Sequence, residues 1–292
     1  MAQRASLIAT LTDEPSAREL EELGPGVDWL EVRGDLVRDL DPDWLRDRFG
    51  GRLLYTLRSR SEGGAFEGSL ARRRQMLGAA AERYDRVDLE VSRDLVDNLL
   101  AVIPSDKRVL SWHGPAREVS SLRGLFRRVE ATPAALYKFV PTAREAVDEL
   151  SVLEFLSDLG RDDVLAFCTG ESAAWTRYVA PYLGAPVLYG SLGARSGAPG
   201  QPTIQRLQLD YGFPELRPVS SLAGIVGNPV GHSLSPRLHN GAYRALGIPA
   251  LYVPFQPEHF SDFWIEIVEG KLLEAIGMPL EALSITAPFK NL

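Results

Sequence analysis

Lys107-Arg-Val-Leu-Ser-Trp-His113 and, one helical stretch later, Ala135-Leu-Tyr-Lys138-Phe-Val-Pro141 are the runs on which the fold turns. Both are short, apolar and rich in β-formers. An extended chain repeats every two residues, so Ser111 shares a face with His113, and Lys138 shares one with Leu136 and Val140. A strand, a helix and a second strand form a unit of a parallel sheet. Outward from this unit the same alternation continues. Strands are predicted at 5–11, 28–34, 52–59, 86–92, 107–113, 135–141, 163–169 and 185–191. Helical segments fall at 15–23, 42–48, 69–83, 93–102, 117–129, 143–158 and 172–183, with a short one near 203–210. Eight strands in strict alternation over about 210 residues predict an α/β chain with a (β/α)8 TIM barrel. Alternation alone also fits a doubly wound sheet.

The strands have one apolar and one polar face. In a barrel, helices cover the outside, so the apolar faces point out and the polar ones in. Thr10, Glu31, Arg33, Thr56, Arg58, Asp88, Glu90, Ser111, His113 and Lys138 are then expected inside, where their charges must pair. Such a set implies a site at the C-terminal mouth.

The chain has 292 residues, 45% of them hydrophobic and 24% charged, enough for a full core and two domains. No run approaches the ~18 apolar residues of a membrane span. The N-terminal residues lead straight into a strand pattern, so no signal peptide is expected. One cysteine, Cys168, excludes an internal disulfide and a cysteine-based metal cluster; a cytoplasmic setting follows. With a net charge of −7 and no basic block, nucleic-acid binding is not expected. Oligomeric state is left open, a homodimer included.

Lysine occurs four times among 32 basic residues, at 107, 138, 271 and 290, and His113 is the sole histidine before residue 232. A lysine kept inside an apolar strand points to imine chemistry, which arginine cannot perform. Burial lowers its pKa and frees the amine. A histidine on the neighbouring strand, about 4.8 Å away, can take and return a proton.

Six pieces in order resemble type I 3-dehydroquinate dehydratase: Glu31-Val-Arg33-Gly-Asp35, Thr56-Leu-Arg58 followed by Glu62-Gly-Gly64, Asp88-Leu-Glu90, Ser111-Trp-His113, Tyr137-Lys138 and Ala198-Pro-Gly-Gln201. The resemblance spans residues 5–210 and implies a barrel enzyme with no metal or organic cofactor. It implies that Lys138 forms the imine with the ketone of 3-dehydroquinate, that His113 removes the α-proton and protonates the departing hydroxyl, and that Glu62 holds His113. Glu31, Arg33 and Arg58 would bind ring hydroxyls and balance charge, Arg177 would grip the carboxylate, Gln201 would close over the substrate, and Thr10 supplies a small hydroxyl. The family usually has serine where Gly197 stands, and the segments after His113 and around Cys168 are altered.

Two prolines and a glycine in Tyr211–Ser220 break the pattern and read as a linker. A new unit follows: strand 223–227, helix 235–246, strand 250–255, helix 258–269 and strand 283–287. Gly227-Asn-Pro-Val-Gly-His-Ser233-Leu-Ser235-Pro-Arg-Leu-His239-Asn240 and Ser284-Ile-Thr286-Ala-Pro-Phe-Lys290 resemble the opening of shikimate dehydrogenase. The resemblance implies a shikimate site at Ser233, Ser235, Thr286 and Lys290; Ser284 stands where bacterial members often carry asparagine. His232 and His239 read as structural residues at the helix start. The Gly-rich fingerprint of a nucleotide-binding domain is not in this sequence. The expected organisation is thus a barrel at 1–212, a linker at 213–222 and an incomplete small α/β substrate domain at 223–292, with the NADP site absent from this chain and no reductase activity. A class I aldolase-type barrel and a non-catalytic shikimate-binding module are the other readings.

Overall fold

A computed structural model describes residues 3–37, 40–115, 117–143, 146–193 and 195–291. Met1, Leu292 and part of the segment after His113 lie outside the described residues, as do two residues at the start of the helix expected over 143–158. Eight parallel strands form the barrel: β1 Ser6–Leu11, β2 Trp29–Arg33, β3 Arg52–Thr56, β4 Arg86–Glu90, β5 Arg108–Pro115, β6 Leu136–Thr142, β7 Val164–Ala166 and β8 Val187–Ser191. Their ladder runs in chain order from β1 to β7, and β8 returns to pair with β1. Among the described residues no ladder joins β7 to β8, so the barrel is nearly, not wholly, closed by hydrogen bonds.

The outward faces carry the core. Phe139 on β6 meets Phe126 and Phe155 at ring distances of 5.9 and 5.5 Å, each edge to face. Those partners come from helices Val119–Val129 and Ala146–Leu159, which cover the strand as a βα fold requires. The inward faces carry the polar set. Thr10, Glu31, Arg33, Thr56, Arg58, Asp88, Glu90, Ser111 and Lys138 are all buried. His113, the tenth residue expected inside, is partly exposed; it lines the barrel cavity with Thr10, Glu31, Arg33, Thr56, Arg58 and Lys138, while Asp88, Glu90 and Ser111 bond Arg58 beneath them.

Helix bounds differ from the pattern where capping and breakers decide them. The first helix is shorter than 15–23, at Ala17–Glu21, because Ser16 and Glu19 close a capping box. The segment 172–183 is divided: a 3₁₀ turn Ser172–Ala174, an α-turn Trp175–Val179 and a second 3₁₀ turn Ala180–Leu183. Pro181 and the left-handed Gly184 (φ 107°) account for the last break.

The stretch read as a linker is structured. Glu215 and Leu216 pair antiparallel with Arg4 and Gln3, and Phe213 and Leu216 are buried. Apolar side chains that anchor to the barrel override the proline and glycine signal. The second unit has β9 Ser221–Val226, β10 Ala250–Phe255 and β11 Leu280–Ile285 in a parallel sheet of order β10-β9-β11. Its first helix, Ser235–Leu246, matches the expectation; the second begins at Phe260, and the last strand lies three residues earlier than its pattern at its start. The unit packs on the barrel: Asp210 accepts a 2.7 Å hydrogen bond from Nε of Arg237, and the rings of Trp175 and Phe255 lie 5.3 Å apart.

Candidate active site

A cavity of about 590 Å³ opens at the C-terminal mouth of the barrel. Thr10, Glu31, Arg33, Arg58, Glu62, His113, Lys138, Arg177 and Gln201, drawn from seven segments of chain, all line it. Ser111 is the register partner of Lys138, which puts His113 one side-chain period, roughly 6.6 Å, nearer the mouth on the neighbouring strand.

Lys138 is 6% exposed. Its Nζ stands 4.1 Å from the centre of the Tyr189 ring and 3.9 Å from Oδ2 of Asp88. Burial pushes the ammonium pKa down, and Glu31 and Asp88 offset only part of that. The group is thus poised toward the free amine. Tyr189, on β8, was not singled out from the sequence. Its interior position follows from the same period of two, but its partner depends on a register that joins the two ends of the barrel.

His113 and Glu62 form a pair. Nδ1 lies 3.1 Å from Oε2 of Glu62, and Ser92 donates to Oε1 at 2.6 Å. Burial pushes the His113 imidazole well below its ordinary pKa, aided by Arg58 and Lys138. Burial, with Glu90 adding repulsion, takes the Glu62 carboxyl up to about 7. The neutral imidazole is favoured, with Nδ1–H donating to the carboxylate and Nε2 left as a base.

The arginines divide into two kinds. Arg58 is held by Asp88 at 2.9 Å, Ser111 at 2.8 Å and Glu90 at 3.3 Å, so its charge is consumed within the barrel floor. It also lines the cavity. Arg33 is gripped by both oxygens of Asp35 (2.9 and 2.7 Å) and donates to the carbonyl of Gly197 at 2.7 Å. Arg177 differs. It makes no ion pair among the described residues, donates to the carbonyl of Pro199 at 3.3 Å, and stacks 4.2 Å from the Phe167 ring. Its buried Nε has no partner, and burial lowers its pKa to about 10. A buried guanidinium without a carboxylate is a place for an anion.

The closing loop is tied down. Gln201 donates to Thr10 Oγ1 (2.9 Å) and accepts from the Gly197 amide (2.8 Å); Thr10 and Thr56 each donate to Glu31 at 2.7 Å. A Cβ on Gly197 would come within 3.0 Å of the Thr10 methyl and 2.9 Å of Gln201 Oε1, so a side chain at 197 requires the Thr10 methyl or the end of Gln201 to shift.

Residues 7–215 match the family model of type I 3-dehydroquinase. The chain belongs to that family. Beyond the dehydroquinase barrel, residues 225–292 match the model of the shikimate dehydrogenase substrate binding domain. The bifunctional 3-dehydroquinate dehydratase/shikimate dehydrogenase of Arabidopsis thaliana is 30% identical over 82% of this chain, which spans 41% of that relative's length. A 3-dehydroquinate dehydratase of Methanothermobacter thermautotrophicus is 32% identical over 64% of the chain and 88% of its own. The solved dehydroquinate dehydratase and shikimate dehydrogenase of S. pombe AroM shares the fold over 99% of this chain and 57% of its own, with a TM-score of 0.60 at 22% identity.

In the second unit, the four residues implied by the resemblance follow the C-terminal ends of β9 and β11, Ser233 and Ser235 after the first, Thr286 and Lys290 after the second. Ser233 Oγ accepts from the amide of Ser235 at 3.2 Å, at the start of the helix Ser235–Leu246. Thr286 follows β11 and packs against the Gly227 turn, while Lys290 is exposed. His239 stacks on Tyr252 at 4.2 Å, the structural role expected of it. Among the described residues no helix is long and apolar enough to cross a membrane.

Proposed function

We propose that the barrel dehydrates 3-dehydroquinate to 3-dehydroshikimate through a Schiff base on Lys138. The observation that carries this reading is a buried lysine of lowered pKa sharing one cavity with the His113–Glu62 pair. The neutral Lys138 amine adds to the substrate ketone, and uptake of one proton from solvent with loss of water leaves a protonated imine. That cation draws electrons from the adjacent carbon, so Nε2 of His113 removes the α-proton and an enamine forms. The electrons then return through the enamine, the β-hydroxyl leaves, and the proton on His113 departs with it as water. A second water hydrolyses the imine. Arg177 meets the substrate carboxylate, a charge it otherwise lacks; Gln201 and Thr10 close the loop over the ring; Glu31, Arg33 and Arg58 set the polarity of the wall.

The chemistry calls for no metal or organic cofactor, and a cytoplasmic enzyme acting on a small anionic molecule fits the single, buried thiol. In the second unit, Ser233 and Ser235 would take a shikimate carboxylate, with Thr286 and Lys290 beside them; no reductase step is assigned to residues 223–292. Borohydride reduction in the presence of 3-dehydroquinate should add the substrate mass to the Lys138 peptide. Absence of that adduct from an active preparation overturns the Schiff-base assignment, and NADP-dependent turnover of shikimate overturns the second.

A further inference from the structure

Trp175 and Arg177 lie two residues apart in the helical turn Trp175–Val179, so their side chains leave it roughly 200° apart. Arg177 faces the cavity. Trp175 faces the second unit: its ring meets Phe255, the last residue of β10, at 5.3 Å, and both are 1% exposed. Phe255 is in turn backed by Phe263 at 5.2 Å. The far side of Trp175 is pinned by a 2.6 Å hydrogen bond from Nε1 to Glu149 on the barrel helix Ala146–Leu159.

The same turn carries the rest of that wall. Thr176 Oγ1 accepts from the amide of Cys168 at 3.0 Å. Glu171 accepts from the amide of Gly200 at 3.0 Å, and Gly170 donates to the carbonyl of Pro199 at 3.3 Å, which joins the turn to the closing loop. From the front, Arg177 is held by a single carbonyl and a ring. A long side chain with so few partners takes its position from its backbone, and that backbone is braced from behind by the second unit. The gap between β7 and β8 leaves this segment without the ladder that stiffens the other strands.

We propose that Phe255 of the second unit is a positioning residue for the dehydratase: through Trp175 it sets Arg177 for the substrate carboxylate. This inference rests on the proposed dehydratase reading. The second unit then serves the barrel's affinity for an anionic substrate, independently of any chemistry of its own.

The test uses the full chain with 3-dehydroquinate as substrate. Phe255→Ala should raise KM about tenfold with kcat within about twofold, since displacement of a binding group by a fraction of an ångström is felt strongly. Phe255→Leu, which keeps most of the packing, should recover most of the loss. Leu222→Ala, a cavity in the core of the same unit on β9, should leave KM near wild type. Thermal melts establish that each variant is folded; if Phe255→Ala is not, Phe255→Leu carries the test with an expected rise of about threefold. An unchanged KM in the folded Phe255 variants overturns the proposal, as does an equal rise in Leu222→Ala. Arg177→Met separates the two readings. A raised KM there, with none in the Phe255 variants, sinks only the positioning role. No change in either sinks the carboxylate role of Arg177 as well.

Discussion

Nδ1 of His113 and Oε2 of Glu62 lie 3.1 Å apart, and burial drives both groups toward their neutral forms. The two titrate as one unit that gains a proton as pH falls through about 7. Above that pH the carboxylate accepts from Nδ1–H and Nε2 is free to act as base. Below it the pair is protonated and the base is lost. The kcat/KM profile should therefore have an acid limb near pH 7. Glu62→Gln removes the carboxylate that shares the proton, so the limb should move to lower pH while the maximal rate falls, by about 10²-fold. A profile whose limb does not move would exclude the coupling.

Tyr189 lies under the Lys138 amine, 4.1 Å from ring centre to nitrogen, with a buried hydroxyl that has no hydrogen-bond partner among the described residues. Tyr189→Phe keeps the ring and removes that hydroxyl. It should leave kcat within about twofold and stabilise the fold by roughly 1 kcal/mol, read as a higher denaturation midpoint. Tyr189→Leu also removes the aromatic face that favours a cationic imine, and kcat should drop about tenfold. Equal rates for the phenylalanine and leucine variants would count against a role for the ring.

Thr10 and position 197 are coupled through space. A serine at 197 meets the Thr10 methyl and the Gln201 side chain, so Gly197→Ser alone should loosen the closing loop and raise KM several-fold. Thr10→Ser removes the methyl and should restore most of that loss in the double variant. Additive effects in a double-mutant cycle would show that the two sites are independent.

Glu149 is buried against Trp175, and burial takes its carboxyl up to about 8. Its pKa is thus higher folded than unfolded, so the folded state holds the proton more tightly. Stability is unaffected below the unfolded value near 4.5, and declines as pH rises from there to about 8. Glu149→Gln should flatten this decline and stabilise the chain at pH 8, by a few kcal/mol at most. Parallel pH–stability curves for the two proteins would rule the carboxyl out as the cause.

Lys138→Ala should abolish turnover by more than about 10³-fold while the barrel still melts cooperatively, because among the described residues no other lysine lines the cavity. Residual activity near wild type would end the Schiff-base mechanism.

Local periodicity was enough to locate every barrel strand and, for the first six, the interior face. Lys138, His113, Glu31 and Arg58 were legible because charge on alternate residues of an otherwise apolar strand has one direction to go. Glu62 and Arg177 lie outside the strands and were reached only through motif order. Patterns failed where packing between distant segments decides. Residues 213–222 read as a linker, yet Phe213 and Leu216 are anchored beneath the barrel.

By itself, then, the sequence determined that a lysine and a histidine face one interior from adjacent strands, since a two-residue repeat and βα alternation are local properties. Only the tertiary structure decided which groups stand next to them: Tyr189 below the amine, Ser92 behind Glu62, Thr10 against Gly197, and Phe255 behind the turn that carries Arg177. Those contacts join residues 30 to 187 positions apart, and they depend on barrel closure and on how the second unit docks, neither of which leaves a periodic trace in the chain.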